Sequence, residues 1–90
     1  ESFGLTVLEA MNYGIPAIVP PHGGISELVE DGYNGYKISV KKMDKITEVI
    51  HELSQDTALH QKLSKNAREM ARKFDYKSMI DSIEAIVLSD

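Results

Sequence analysis

The sequence predicts an α/β fold, the carboxy-terminal half of a doubly wound domain in which short parallel strands are followed by three helices. Three observations lead there. Ala17-Ile18-Val19 is a short continuous apolar run bounded by Pro20 and Pro21, the pattern of a parallel strand covered on both faces. Tyr36, Ile38 and Val40 alternate with Lys37 and Ser39, which marks a second strand with one apolar face. From Asp44 onward, apolar residues recur at helical spacing.

The elements follow in order. A first helix is predicted from about Leu5 to Tyr13, because Leu5, Leu8 and Met11 share one face. Gly14 suits a left-handed position just past its end, and Pro16 forbids continuation. Between the strands, His22-Gly23-Gly24 is a loop and a short helix runs from about Ser26 to Glu30. Asp31-Gly32 and Asn34-Gly35 are turn pairs. Asp44 reads as an N-cap, with Ile46, Val49, Ile50 and Leu53 behind it. Leu59, Leu63, Ala67, Met70, Ala71 and Phe74 form the stripe of a longer helix, and Tyr76, Met79, Ile80, Ile83 and Ile86 that of a third. Strand, helix and strand make a right-handed βαβ unit, hence a parallel sheet. Two short parallel strands are marginal by themselves. The pattern therefore implies earlier strands upstream, with residues 1–40 as the β/α part and 41–90 as the helical part of one larger domain.

Composition excludes several classes. The 90 residues contain no cysteine, which removes disulfide frameworks and thiolate metal sites. Ten basic against fourteen acidic residues give a net charge of −4, which argues against a nucleic-acid surface. No apolar run reaches the roughly eighteen residues of a membrane span. His51 and His60 fall on different predicted helices without metal-ligand spacing. Lys41-Lys42 and the group Lys65, Arg68, Arg72 and Lys73 read as solvated helix faces, and the four methionines as core filling.

The stretch Glu1-Ser2-Phe3-Gly4-Leu5-Thr6-Val7-Leu8-Glu9 carries the chemistry. Gly4 lets the backbone approach a ligand closely. The N–H groups of about Gly4, Leu5 and Thr6 open a helix, where free donors and the helix dipole favour an anion. Glu9, one turn on, would repel that anion but can accept two hydrogen bonds from a neighbouring diol such as a ribose. Glu1 could serve another polyhydroxyl group in the same way. The residues alone leave two readings open. One is a nucleotide-sugar site; the other is a helix with acidic residues near its positive end, stabilised by a few tenths of a kcal/mol. The Gly23-Gly24 loop is equally open. It either lines the crevice at the carboxyl ends of the strands or simply permits a tight strand-to-helix turn with Glu27 solvated.

The order of motifs adds to this. Glu1 and Glu9 bracket seven residues that include Phe3-Gly4-Leu5, and Leu8-Glu9-Ala10-Met11 follows. Gly14-Ile15-Pro16, Gly23-Gly24-Ile25-Ser26-Glu27-Leu28-Val29, Asp31-Gly32, Asn34-Gly35 and Tyr36 come next. This run resembles the E-x7-E region of retaining GT-B glycosyltransferases of the family-4 type, the glycosyl transferases group 1. The resemblance covers the first 40 residues by specific motifs and the rest by general pattern. It implies the Rossmann-like carboxy-terminal domain that holds the nucleotide-sugar donor, such as a UDP- or GDP-sugar. Carried over, Glu1 contacts donor-sugar hydroxyls, with the backbone around Phe3 and Gly4 near the sugar. The amides of Leu5 and Thr6 face the diphosphate, and Glu9 takes the ribose hydroxyls. The implied reaction moves the sugar, with retention, to a glycan or lipid-linked acceptor held by an amino-terminal domain. It uses no metal or other cofactor, because protein groups stabilise the departing diphosphate. The basic residues that clamp the diphosphate lie upstream in that family, so this chain alone is expected to be inactive. The resemblance also implies a cytoplasmic location, at the inner face of the membrane where the parent associates peripherally. Many relatives carry proline where Ser26 stands, so the helix there should start differently. The rival classes are a non-enzymatic phosphate- or nucleotide-binding module and an interaction domain that pairs through a sheet edge.

Overall fold

The computed structural model describes the backbone of residues 2–88 and the side chains of residues 4–74. Helix α1 (Ser2–Asn12) leads to strand β1 (Ala17–Val19), a 3-10 helix (Gly24–Leu28) and strand β2 (Gly35–Lys37). Helices α2 (Met43–Gln55) and α3 (Thr57–Leu88) follow.

The end of α1 is where the sequence puts it. Gly14 adopts φ +77°. Its N–H donates to the Met11 carbonyl at 2.9 Å while that of Ile15 donates to Ala10 at 3.0 Å, the paired bonds of a Schellman stop. Its start comes earlier than the spacing predicts, at Ser2 rather than Leu5. Periodicity reports only residues that bury, and Leu5, on which the predicted start rests, does not. Leu5 was expected on the buried stripe but is 68% exposed. The face that packs is formed by Val7, Leu8 and Met11, set against Met70, Ala67 and Ala71 of α3 and against Leu28. Met11, Ala67 and Ala71 are fully buried.

β1 and β2 pair in parallel, Ala17 opposite Gly35, Ile18 opposite Tyr36 and Val19 opposite Lys37. The Ile38 N–H extends the ladder to the Val19 carbonyl at 2.9 Å. Gly35 is required at this crossing, because any Cβ there would run into the Ala17 carbonyl. The short helix expected from about Ser26 to Glu30 is a 3-10 helix over Gly24–Leu28. It opens at Gly23, whose φ is +83°, and Ser26 returns both its N–H (3.1 Å) and its hydroxyl (2.7 Å) to the Gly23 carbonyl. With Ser26 closing the turn onto Gly23, the helix begins two residues earlier than predicted.

The turn before β2 is held by side chains. Asn34, fully buried, accepts from the Glu30 N–H at 2.8 Å and donates to the Leu28 carbonyl at 3.0 Å. Asp31 accepts from the Lys37 N–H at 2.8 Å. Asn66 of α3 donates to the Tyr33 carbonyl at 2.8 Å, tying the turn to the helical layer.

Two expectations for the helical part change. The residue preceding α2 is Lys42, with no side-chain cap, and Asp44 sits inside the first turn, where its charge still faces the helix dipole favourably. The last two predicted helices form one continuous α3. The shift of stripe between Phe74 and Tyr76 suggests a break, but no glycine or proline lies between Thr57 and Leu88 to enforce one. The predicted stripe from Tyr76 to Ile86 falls on side chains outside the described residues. Asp56 separates α2 from α3 and serves both: its N–H closes α2 on the Glu52 carbonyl, and its carboxylate accepts from the Leu59 N–H at 2.9 Å as the N-cap of α3.

Candidate functional site

Parallel pairing sends the segments after β1 and β2 off the same, carboxyl edge of the sheet, the edge at which open α/β sheets bind ligands. α1 runs into β1 through the Gly14 stop, so its amino end returns toward that edge. There its first turns meet the 3-10 helix. Between them lies a cleft of about 370 Å³ lined by Gly4, Leu5, Leu8, Gly24, Ile25 and Leu28.

Two features make this cleft suited to a ligand. A helix that starts at Ser2 leaves the N–H groups of Ser2, Phe3 and Gly4 outside its intrahelical ladder, and its own first turn contains no acidic residue. The free donors thus sit about two residues earlier than the Gly4–Thr6 position the sequence suggests. Second, the backbone is open on both sides. A Cβ added at Gly4, Gly23 or Gly24 would meet nothing within 4 Å. A ligand can therefore approach the main chain there.

The predicted site residues distribute unevenly. Gly4 and Leu5 line the cleft. Glu9 is exposed one helical turn beyond Leu5 on the same face. Thr6 is also exposed, though it is not among the residues lining the cleft. Phe3 belongs to α1 by its backbone, while its side chain lies outside the described residues, as does Glu1 altogether. Sequence reasoning missed Leu8, Ile25 and Leu28 as cleft walls. Ile25 follows the paired glycines directly, the one signal that could have marked it. His22 is exposed in the same loop.

The comparisons with known proteins place the chain in a family. Residues 1–70 match the glycosyl transferases group 1 family. The chain is 36% identical over 83 residues to a poly(glycerol-phosphate) alpha-glucosyltransferase of Bacillus subtilis, covering 91% of this chain and 12% of that protein. It is 34% identical over 87 residues to an N-acetyl-alpha-D-glucosaminyl L-malate synthase of Bacillus anthracis, covering 96% and 23%. Among solved structures it superposes on the C-terminal domain of a glycosyl transferase group 1 family protein from Francisella tularensis. That match has a TM-score of 0.70 and 30% identity, over 81% of this chain and 37% of the other. The chain thus spans less than a quarter of these two curated relatives.

Proposed function

This chain belongs to the glycosyl transferases group 1 family, and we propose that the whole protein moves a sugar from a nucleotide-sugar donor to an acceptor with retention, these residues supplying part of the donor site. One observation carries the reading: the donor-rich amino end of α1 opens on the glycine-lined cleft, and Glu9 stands exposed further along the same helix. Gly4 and Glu9 are separated by about 7 Å along the helix axis, a span that the ribose-to-phosphate length of one nucleotide covers.

In this proposal residues 1–40 form the donor-binding part and 41–90 the helices that cover it. The diphosphate lies at the start of α1, near the backbone of Leu5 and Thr6, with the free N–H groups of the first turn donating to it. Those donors and the helix dipole stabilise the negative charge that develops as the sugar departs. The sugar ring sits by Glu1, Phe3 and Gly4. Glu9 accepts hydrogen bonds from the ribose diol and fixes the nucleotide, which makes it a binding residue and not an acid or base. The chemistry proposed needs no metal, so turnover should persist in chelator. No helix among the described residues is long and apolar enough to cross a membrane; cytoplasmic placement against the inner membrane face is part of the proposal.

The test uses the full-length protein, titrated with UDP, GDP and ADP and with their sugars. Glu9→Ala should weaken the preferred nucleotide by about 10- to 100-fold, since each hydrogen bond to a charged group contributes about 1.5–3 kcal/mol. Glu9→Gln, which keeps one acceptor, should fall between. Nucleotide binding indifferent to both substitutions would remove the diol role.

A further inference from the structure

We propose that Asn34 is a site of spontaneous covalent modification: the fold guards its side-chain amide, and loss of that amide as ammonia makes opening of the turn before β2 irreversible. The inference goes beyond the sugar-transfer reading and does not depend on it. The chain has three asparagines. Asn12 precedes Tyr13 and Asn66 precedes Ala67, whereas Asn34 precedes Gly35. With no Cβ, Gly35 leaves its main-chain nitrogen open to the preceding side chain and gives the backbone the freedom to close a ring. The Gly35 nitrogen, its proton taken by hydroxide, attacks Cγ of Asn34. A C–N bond forms and closes a cyclic imide, the Cγ–Nδ2 bond breaks, and the departing nitrogen takes a proton from water to leave as ammonia. Water then adds to one or the other imide carbonyl, giving aspartate or isoaspartate. The sum consumes one water and releases one ammonia, with no change of oxidation state.

The folded turn blocks each part of this step. Asn34 is fully buried, away from hydroxide. Its Oδ1 accepts from the Glu30 N–H at 2.8 Å and its Nδ2 donates to the Leu28 carbonyl at 3.0 Å. Held at both ends, the amide is not free to rotate into the ring-closing geometry. Gly35 is fixed as well: it pairs with Ala17, and its carbonyl accepts from the Gly32 N–H at 2.8 Å. Asn66 secures the preceding residue through the Tyr33 carbonyl at 2.8 Å. The reaction therefore waits for local opening. Each strand here is only three residues long, and elements with so few bonds open below the cost of global unfolding. Once formed, neither product lets the turn reclose as before. Aspartate sets a carboxylate oxygen against the Leu28 carbonyl in a buried site. Isoaspartate lengthens the main chain by a methylene and shifts Gly35 off Ala17. Leu28, a wall of the cleft, loses its tie in both cases.

The experiment incubates the full-length protein at neutral pH across a urea series. Peptide mass mapping follows each asparagine, and an isoaspartate methyltransferase assay identifies the second product. Opening breaks both Asn34 bonds, each contributing about fivefold, so the native protein should lose the Asn34 amide at least about 25-fold more slowly than the unfolded protein. In urea Asn34 should be modified well ahead of Asn12 and Asn66. Asn66→Ala, which frees the Tyr33 carbonyl, should speed the native reaction about fivefold and leave the unfolded rate unchanged. Below the unfolding transition the rate at Asn34 should rise in step with hydrogen exchange of the Glu30 N–H, a comparison that needs no variant to fold. Equal rates in native and unfolded protein, modification of Asn12 or Asn66 as fast as Asn34 in urea, or an Asn34 rate that stays flat while the Glu30 N–H exchanges faster would each overturn the proposal.

Discussion

Replacing Asn34 by alanine offers the most direct test of how the carboxyl edge is held. Asn34 is fully buried and satisfies two backbone groups at once, the Glu30 N–H at 2.8 Å and the Leu28 carbonyl at 3.0 Å. These bonds join the end of the 3-10 helix, which walls the cleft, to the turn that feeds β2. Alanine strands both groups. A buried polar group left unpaired costs about 1–3 kcal/mol; both bonds are only partly buried, so the pair should cost roughly 2–4 kcal/mol. The readout is local amide exchange in the full-length protein, where the Glu30 N–H should exchange roughly 30- to 700-fold faster at tenfold per 1.4 kcal/mol. Asn34→Asp sharpens the test. It keeps the acceptor for Glu30 but sets a second carboxylate oxygen against the Leu28 carbonyl, and burial raises the pKa of that carboxyl. With its folded pKa above the unfolded value, the penalty is absent below the unfolded pKa and grows as pH rises through the folded one. The aspartate variant should therefore approach the parent's stability in acid and fall away from it toward neutral pH. If Asn34→Ala stays within about 0.5 kcal/mol of the parent, the range of a neutral surface change, the turn is not held by this side chain.

Two further outcomes follow from single residues. Gly14→Ala places a Cβ in a left-handed conformation, against the Arg68 guanidinium and 2.6 Å from the Ser64 hydroxyl. It should lower stability by about 1–2 kcal/mol; because the strain is in the backbone, Arg68→Ala should not rescue it in denaturant titrations. Tyr36 holds its proton more tightly than usual, first through burial and then through the nearby Glu52 and Asp31 carboxylates. A folded pKa raised above the unfolded value means stability present below pH 10 and lost as pH rises through the folded pKa. Tyr36→Phe should flatten that alkaline loss, and an unchanged alkaline limb would assign it to other groups.

The stops of this fold were legible because each depends on one residue with special backbone chemistry. Gly14 followed by Pro16 ends α1; Gly35, read as a turn residue, instead opens β2 and admits the Ala17 carbonyl where the strands pair. The starts were less legible. Apolar spacing begins only at Leu5, so it placed the start of α1 there, whereas the helix begins at Ser2. The long α3 was split in two because a change of stripe looks like a break, although only a breaker residue makes one. Of the site, Gly4, Gly24 and Glu9 could be read as residue types with a purpose. Leu8, Ile25 and Leu28 could not, since only the packing of α1 against the 3-10 helix turns ordinary apolar residues into cleft walls.

Leu5 is the case where the two kinds of information meet. Spacing assigns it to the core with Leu8 and Met11, yet α1 is rotated so that Met11 is fully buried while Leu5 remains 68% exposed at the cleft, one turn from Glu9. The rotation follows from Gly14, whose stop fixes where Ile15 and β1 must leave the helix and so which face meets Ala67 and Ala71. A leucine left open at a ligand-sized cleft should matter to binding and little to folding. Leu5→Ala should then change stability by no more than about 0.5 kcal/mol, while Met11→Ala should cost about 2–5 kcal/mol through the cavity it leaves. Nucleotide-sugar affinity should show the reverse order, with Leu5→Ala the weaker binder. Equal destabilisation by the two substitutions would mean that Leu5 belongs to the core after all and that the cleft closes in solution.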